Sequence, residues 1–284
     1  MVLPDKHFSL SKRSTRQSSF ALPKSDAQKQ LKEIVGRFAE LQHRLFAENS
    51  RALLIVFQGM DASGKDSMIR HVTTGLNPAG VRVHAYGVPT QDDLDQSYFQ
   101  RHWRDLPSQG YIGVHNRSHY EEVVVTRVHP SLLKLRGFDV AHIDDSFWQD
   151  RFEDIKSFER HLTRQGHTTI LKFFLHVSRE EQLKRLVQRL DDPEKNWKFE
   201  MSDVRERLYW DDYQFAYEQA IAATSTEAAP WFVIPADQKR FARLAVAEIV
   251  VDRLEQMDPR FPDAELNLEK ARHALLRTAG RQKT

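Results

Sequence analysis

Residues 51–67 read RALLIVFQGMDASGKDS. The run 52–57 is wholly apolar, which suits a strand covered on both faces, as in a parallel sheet. It leads into Gly59-x4-Gly64-Lys65, and Met68, Ile69 and Val72 continue behind it at helical spacing. Strand, glycine loop and helix in that order cradle phosphate. Glycines permit the tight turn, backbone N–H groups point inward, and the helix N-terminus adds positive potential. Lys65 then reaches a bridging or terminal phosphate oxygen. Chance would give about 0.02 matches to Gly-x4-Gly-Lys in a chain of this composition. Ala62, Ser63, Gly64, Lys65, Asp66 and Ser67 are therefore expected on phosphate.

Two departures from the usual loop matter. The residue after the lysine is commonly a Ser or Thr that ligates Mg²⁺; here Asp66 stands there, followed by Ser67. Asp61 also lies inside the loop. A carboxylate facing bound phosphate repels it unless a divalent cation sits between, so Asp61 is expected to be an Mg²⁺ ligand. The alternative is a turn residue that caps the following helix. Asp66 reads equally as a helix N-terminal carboxylate.

Outward from the loop, four more stretches read as strands: 82–87, 111–115, 170–177 and 231–235. Helical patterns at 144–165, 179–190, 201–224 and 238–256 separate most of them, and an amphipathic helix from Asp26 carries Leu31, Ile34, Val35, Phe38, Leu41, Leu45 and Phe46. Strands alternating with helices argue an α/β fold of three layers, a parallel five-stranded sheet flanked by helices. One domain is expected over 26–262. Before it, 1–25 reads as a basic, poorly ordered arm; after it, 263–284 reads as a helix with a basic tail.

Composition removes several function classes. The chain has 284 residues, 40% hydrophobic and 29% charged, with no cysteine. That excludes disulfides, zinc–thiolate sites and cysteine nucleophiles. No apolar run approaches the roughly 20 residues of a membrane span, and the N-terminus lacks an apolar secretory region, so the expected compartment is the cytoplasm and no membrane partner is expected. The net charge is +2, but residues 52–267 hold 27 basic and 34 acidic side chains, net −7. A duplex-DNA binder would show a basic excess there, so no nucleic-acid partner is expected. An anionic ligand must be held by a few placed cations.

Beyond the third strand comes NRSHYEEV, residues 116–123. Ligands collect at the carboxyl ends of strands in such sheets. Arg117 suits a bidentate phosphate contact, and the Glu121/Glu122 pair can hold Mg²⁺ directly or through water. A solvated helix start with a salt bridge is the alternative. His119 and His129 lack a partner pattern for metal and read as structural. Residues 179–213 hold eight basic and ten acidic side chains, so they form no basic patch. Their position is that of the mobile lid of nucleotide kinases, which closes over a transferring phosphate; an ordinary salt-bridged hairpin is the alternative.

Taken together, the motifs resemble the polyphosphate kinase 2 family. The matching stretches are 59–66 (GMDASGKD), 77–80 (NPAG), 87–90 (GVPT), 116–123 (NRSHYEEV), 169–176 (TILKFFLH), 192–199 (DPEKNWKF), 210–217 (WDDYQFAY) and 224–236 (TSTEAAPWFVIPA). They cover nearly all of the globular part. The resemblance implies a thymidylate-kinase-like fold with a helical lid. It implies phosphoryl transfer between inorganic polyphosphate and nucleotides, reversible and dependent on Mg²⁺ or Mn²⁺. By the same resemblance Asp61 and Glu122 are the metal-binding carboxylates, and Asp61, Lys65, Arg117, Glu122 and Arg185 form the catalytic set. Arg70, Arg127, Arg189 and Lys195 join the loop on phosphate, while Asn77, Gly80, Pro89, Thr90, Asn116 and Glu121 lie towards the nucleotide acceptor. Relatives restricted to nucleoside diphosphates tend to carry Asp where this chain has Asn116, and members acting on AMP and ADP tend to carry Asn with a Glu aligned to Glu121. The chain therefore resembles the class that makes both ADP and ATP, with guanine nucleotides as further substrates and a homodimer or homotetramer as the expected assembly. The rival enzyme readings are a kinase restricted to nucleoside diphosphates and an ATP-dependent small-molecule kinase. A nucleotide-gated scaffold is a third, and it has no need of the lid cations or the second carboxylate.

Overall fold

Five strands pair in parallel: β1 (Ala52–Gln58), β2 (Val81–Ala85), β3 (Ile112–Asn116), β4 (Thr168–His176) and β5 (Trp231–Pro235), in the order β2-β3-β1-β4-β5. The computed structural model describes residues 1–2, 8–165, 167–264 and 266–279. Its helices are α1 (Lys24–Glu48), α2 (Lys65–Val72), α3 (Gln91–Leu94), α4 (Gln100–Arg104), α5 (Glu121–Val128), α6 (Ser131–Lys134), α7 (Asp145–Arg164), α8 (Arg179–Asp191), α9 (Met201–Glu206), α10 (Trp210–Thr224), α11 (Lys239–Met257) and α12 (Leu268–Ala279). Each expected strand is present within a residue or two of its expected bounds.

The central strand explains the layering. All seven residues of β1 are buried. Leu53, Ile55 and Phe57 face a core built with α1, α2 and α11. Leu54 and Val56 face a second core built with α5, α7 and α10. Alternate side chains of a strand point to opposite faces, so an unbroken apolar strand needs helices on both sides. At the carboxyl end, Phe57 stands opposite Asn116 of β3 and Phe173 of β4. That register sets the loop after β1 directly beside the chain leaving β3. No helix among the described residues is long and apolar enough to cross a membrane.

Behind the sheet end lies a buried polar knot. Lys172, in the middle of β4, has no solvent exposure. Its Nζ donates to Glu159 Oε2 (2.6 Å), Tyr120 Oη (2.9 Å) and the Thr224 carbonyl (2.9 Å). Tyr120 Oη donates to Glu159 Oε1 at 2.8 Å. A buried lysine is tolerable only with partners of this quality. The knot fixes Tyr120, the residue immediately before α5, and so fixes where that helix begins.

Two expectations differ from the structure. The N-terminal segment does not lie free: Phe8 and Leu10 are buried, and Val2 bridges antiparallel to Trp231 on the β5 edge. Leu10 N and Ser9 Oγ donate to Glu218 at 2.6 and 2.8 Å, and Thr15 Oγ1 donates to Asp237 at 2.9 Å. Its few apolar residues have no period, and their partners sit some 200 positions away in sequence. Residues 3–7 of that arm and 280–284 of the basic tail lie outside the described residues. The single helix expected at 201–224 is broken by a 3₁₀ turn at Arg207–Tyr209. There the chain passes from the surface, where Leu208 is exposed, to the core, where Trp210 is buried. Between β2 and α7 the chain forms the short helices α3 to α6, too brief to show a period.

Candidate active site

The loop after β1 adopts three left-handed backbone positions: Gly59 (φ 152°), Ala62 (φ 57°) and Gly64 (φ 103°). A Cβ on Gly59 would meet Ser63 Oγ at 2.8 Å and the Leu175 carbonyl at 2.9 Å, so only glycine fits. Lys65 turns back under the loop and donates to the carbonyls of Gly59 (2.6 Å) and Met60 (3.3 Å). Burial, reinforced by Arg117, lowers its pKa to about 8. Ser63 Oγ is buried and has no hydrogen-bond partner. A buried donor without a partner costs stability, which a phosphate oxygen in the loop would relieve.

The loop is held from outside by α8. Gln182 Nε2 donates to the Asp61 carbonyl at 2.9 Å. Arg185 Nη1 donates to the carbonyls of Ala62 (3.2 Å) and Ser63 (2.7 Å), and its Nη2 donates to the Ala236 carbonyl at 2.5 Å. Glu181 accepts from Arg185 Nε at 2.9 Å. Every nitrogen of this guanidinium is therefore committed to protein. Arg185, expected on phosphate, is instead a clamp on the loop's carbonyl face.

On the β3 side, Arg117 stands between two carboxylates. Its Nη2 is 3.2 Å from Asp61 Oδ1 and its Nη1 is 3.8 Å from Glu121 Oε2. Glu121 and then Asp61 hold its charge firmly against the effect of burial. Arg117 takes φ 65°, and its N–H donates to the Phe57 carbonyl at 3.0 Å. A non-glycine residue in this region is strained, and here the strain aims the guanidinium at the loop. Asn116 Nδ2 donates to Asp66 Oδ1 at 2.7 Å, and Lys198 from the turn after α8 lies 3.4 Å from Asp66 Oδ2. Partial burial works to raise the Asp66 pKa, but Asn116 and Lys198 outweigh it and hold the carboxyl below its ordinary range.

The structure separates the adjacent glutamates. Glu122, expected as a metal ligand facing Asp61, is buried with Arg136 Nη2 at 3.1 Å from one oxygen and Arg151 Nη1 at 3.3 Å from the other. Arg151 also donates to the Glu122 carbonyl at 2.6 Å. Successive helix residues are about 100° apart, so one glutamate faces the loop while the next enters the core. Glu121 is the carboxylate that shares Arg117 with Asp61.

Other expected contacts also lie elsewhere. The Arg127 guanidinium is sandwiched between Trp148 (5.1 Å) and Phe215 (5.0 Å), near Asp145. Arg189 reaches Asp203 at 3.1 Å and ties α8 to α9, while Lys195 pairs with Asp192 just after α8. Asn77 and Gly80 pack on α1. The Asn77 N–H donates to Gln42 Oε1 (2.9 Å), its carbonyl accepts from Gln42 Nε2 (2.8 Å), and a Cβ on Gly80 would strike Gln42 Nε2 at 2.6 Å. This is a packed turn. Pro89 and Thr90 follow β2 at the surface, where Thr90 caps α3. Arg70 is exposed on α2, and Ser67 Oγ accepts from Arg243 Nη2 at 3.0 Å.

The donor set suits a hard divalent cation. Asp61 and Glu121 offer carboxylate oxygens beside the loop, and no group of three or more His, Asp or Glu side chains that could hold a metal gathers among the described residues. Mg²⁺ is characteristically held by one or two carboxylates, with phosphate oxygens and water completing its shell. Sequence reading missed Gln182, Arg136, Arg151 and Arg243 as contributors. Only Arg243 carried a signal, being one helical turn from Lys239 on α11.

Comparison with known proteins finds similarity over most of the chain. Residues 21–262 match the family model Polyphosphate kinase 2 (PPK2). An ADP-polyphosphate phosphotransferase of Rhodopseudomonas palustris is 44% identical over 89% of this chain and 88% of its own length. An AMP/ADP-polyphosphate phosphotransferase of Meiothermus ruber is 44% identical over 95% of this chain and 97% of its own. The crystal structure of polyphosphate kinase 2 from Arthrobacter aurescens superposes with a TM-score of 0.88 at 37% identity, covering 96% of this chain and 94% of that one.

Proposed function

The chain belongs to the polyphosphate kinase 2 family, and from that premise we propose that it moves the terminal phosphoryl group of inorganic polyphosphate to AMP and to ADP. The observation that carries this reading is the array at the ends of β1 and β3: a buried Lys65 inside the loop, with Asp61, Arg117 and Glu121 at its rim. The polyphosphate terminus occupies the loop, and the nucleotide approaches from the β2–β3 side, near Pro89 and Thr90. An oxygen of the acceptor's terminal phosphate attacks the end phosphorus in line. One P–O bond forms, the bridging P–O bond breaks, and the chain leaves one unit shorter. The attacking oxygen is already anionic, so no protein base is required, and catalysis is positioning plus charge neutralisation. Lys65 and Arg117 offset charge on the transferring group, while Arg185 and Gln182 keep the loop in shape. A divalent cation held by Asp61 and Glu121 would offset repulsion between the two polyanions.

The acceptor range rests on Asn116 and Glu121. Asn116 engages Asp66 and Glu121 engages Arg117, so both border the phosphate loop where the acceptor's phosphate arrives. The cytoplasm is the compartment we propose, in keeping with the nucleotide substrates and the cysteine-free chain. The test is nucleotide chromatography of purified protein with polyphosphate and Mg²⁺, run separately with AMP and ADP. ATP from both acceptors is expected. ATP from ADP alone would restrict the reading to nucleoside diphosphates.

A further inference from the structure

Gln182 is buried on α8, and its amide joins two groups that are far apart in sequence. Its Nε2 donates to the Asp61 carbonyl at 2.9 Å, and its Oε1 accepts from Arg207 Nη1 at 2.5 Å. Arg207 Nη1 also donates to the carbonyl of Arg179, the first residue of α8, at 3.2 Å. A carbonyl only accepts and a guanidinium only donates. One orientation of the amide therefore satisfies both neighbours, with its oxygen to Arg207 and its nitrogen to Asp61. Without the guanidinium the oxygen loses its donor, and the selection of that orientation goes with it.

The group held at the far end is sensitive to such a turn. The Asp61 carbonyl belongs to the peptide that enters Ala62, where φ is 57°. A residue other than glycine persists in that region only when its surroundings over-determine it. Arg185 holds the carbonyls of Ala62 and Ser63, and Gln182 holds the one before them. The Asp61 carboxylate, 3.2 Å from Arg117, leaves the chain at the same residue. Rotation of that peptide would move loop and carboxylate together. Arg207 is itself well anchored. It opens the 3₁₀ turn Arg207–Tyr209 between α9 and α10. Glu206, immediately before it, accepts from His129 Nε2 (2.8 Å) and Tyr213 Oη (2.7 Å). The turn is thus fixed on the far side before Arg207 reaches back to α8.

We propose that Arg207 is a positioning residue for phosphoryl transfer: it orients the amide of Gln182, which sets the Asp61 peptide of the phosphate loop. The proposal rests on the reading of the loop as the place of transfer. Arg207 acts through Gln182 and touches neither substrate. Its loss therefore slows the chemical step and leaves substrate binding intact, the pattern of a contribution made only in the transition state.

The test is steady-state kinetics of ATP formation from polyphosphate and ADP, with melting curves alongside. Arg207→Ala is expected to lower kcat about tenfold and to keep KM for each substrate within about twofold. Arg207 offers Gln182 a single nitrogen, so Arg207→Lys should recover most of the loss. Gln182→Glu keeps an oxygen for Arg207 but sets a second oxygen against the Asp61 carbonyl. Its kcat should fall about tenfold or more while Tm stays within about 2 °C of wild type. That variant tests the same link should Arg207→Ala fail to fold. Arg207→Ala combined with Gln182→Ala should lose no more than the larger single loss, whereas independent effects would multiply to about a hundredfold. Multiplied losses, a raised KM with unchanged kcat, wild-type kinetics in Arg207→Ala, or full activity in Gln182→Glu would each overturn the proposal. A wild-type protein that forms no ATP from polyphosphate would remove the reading of the loop itself, and the proposal with it.

Discussion

The two sides of the phosphate loop are built on opposite electrostatic plans. On the β3 side every cation has a carboxylate: Arg117 lies between Asp61 and Glu121, and Lys198 meets Asp66. On the α11 side Arg70, Lys239 and Arg243 have none among the described residues. A balanced cluster can exchange partners when a cation and a phosphate arrive, which suits the place where a bond is made. Cations without carboxylate partners raise the local potential for anions. The lesson is that charge counted over a segment says little; what matters is which cations are already paired.

The largest effects should come from the balanced side. Lys65→Ala is expected to lower turnover about a thousandfold and Asp61→Asn about a hundredfold or more, judged from comparable electrostatic donors. Phosphorus NMR would follow the loss, and both proteins should melt near the wild-type temperature. Wild-type rates in either would break the contrast between the two sides.

The adjacent glutamates sharpen it further. Glu122→Gln leaves Arg136 and Arg151 facing a neutral partner in a buried site, which is expected to cost about 3–5 kcal/mol. Calorimetry should show a fall of about 10 °C in Tm. Glu121→Gln should melt within about 2 °C of wild type, yet lose AMP phosphorylation more than ADP phosphorylation. Equal melting losses in the two variants would contradict the assignment of Glu121 to the site and Glu122 to the core.

A smaller effect is expected at the clamp. Arg185→Lys keeps the charge but loses the fork that spans Ser63 and Ala236. About 2 kcal/mol of stability should go with those bonds, and turnover should fall about tenfold as the loop loosens. A variant with intact stability and slowed turnover would return Arg185 to direct phosphate contact.

A pH dependence is expected from the burial of Lys65. Lys65 is lowered from 10.5 to about 8 in the folded protein by burial and Arg117. Between those values the unfolded chain holds more protons, so stability of the ligand-free protein should rise with pH across that window. Phosphate affinity should move the other way, weakening above about pH 8 as Lys65 loses its charge. Parallel melting and binding titrations check both signs, and Lys65→Met should abolish the rise in stability.

Much of this was legible in the sequence for a physical reason. The apolar strand 52–57, the glycine loop and the helix behind it are contiguous, so their chemistry is local. The same holds for Asn116 and Arg117, which end a strand and must face the crevice. The rest was hidden because it is assembled from afar. Which of Glu121 and Glu122 enters the core depends on Arg136 and Arg151. Whether Arg185 meets substrate or loop depends on the carbonyls of Ser63 and Ala236. The N-terminal arm is held by Glu218 and Asp237, which nothing within residues 1–25 announces. In each case the deciding partner lies far away in sequence.

The account's central claim is that the loop takes polyphosphate as phosphoryl donor. Phosphorus NMR of purified protein with polyphosphate, ADP and Mg²⁺ tests it in one tube. The account predicts growth of the β-phosphate signal of ATP together with shortening of the polyphosphate chain. An unchanged polyphosphate spectrum from protein that instead consumes ATP with another acceptor would contradict it.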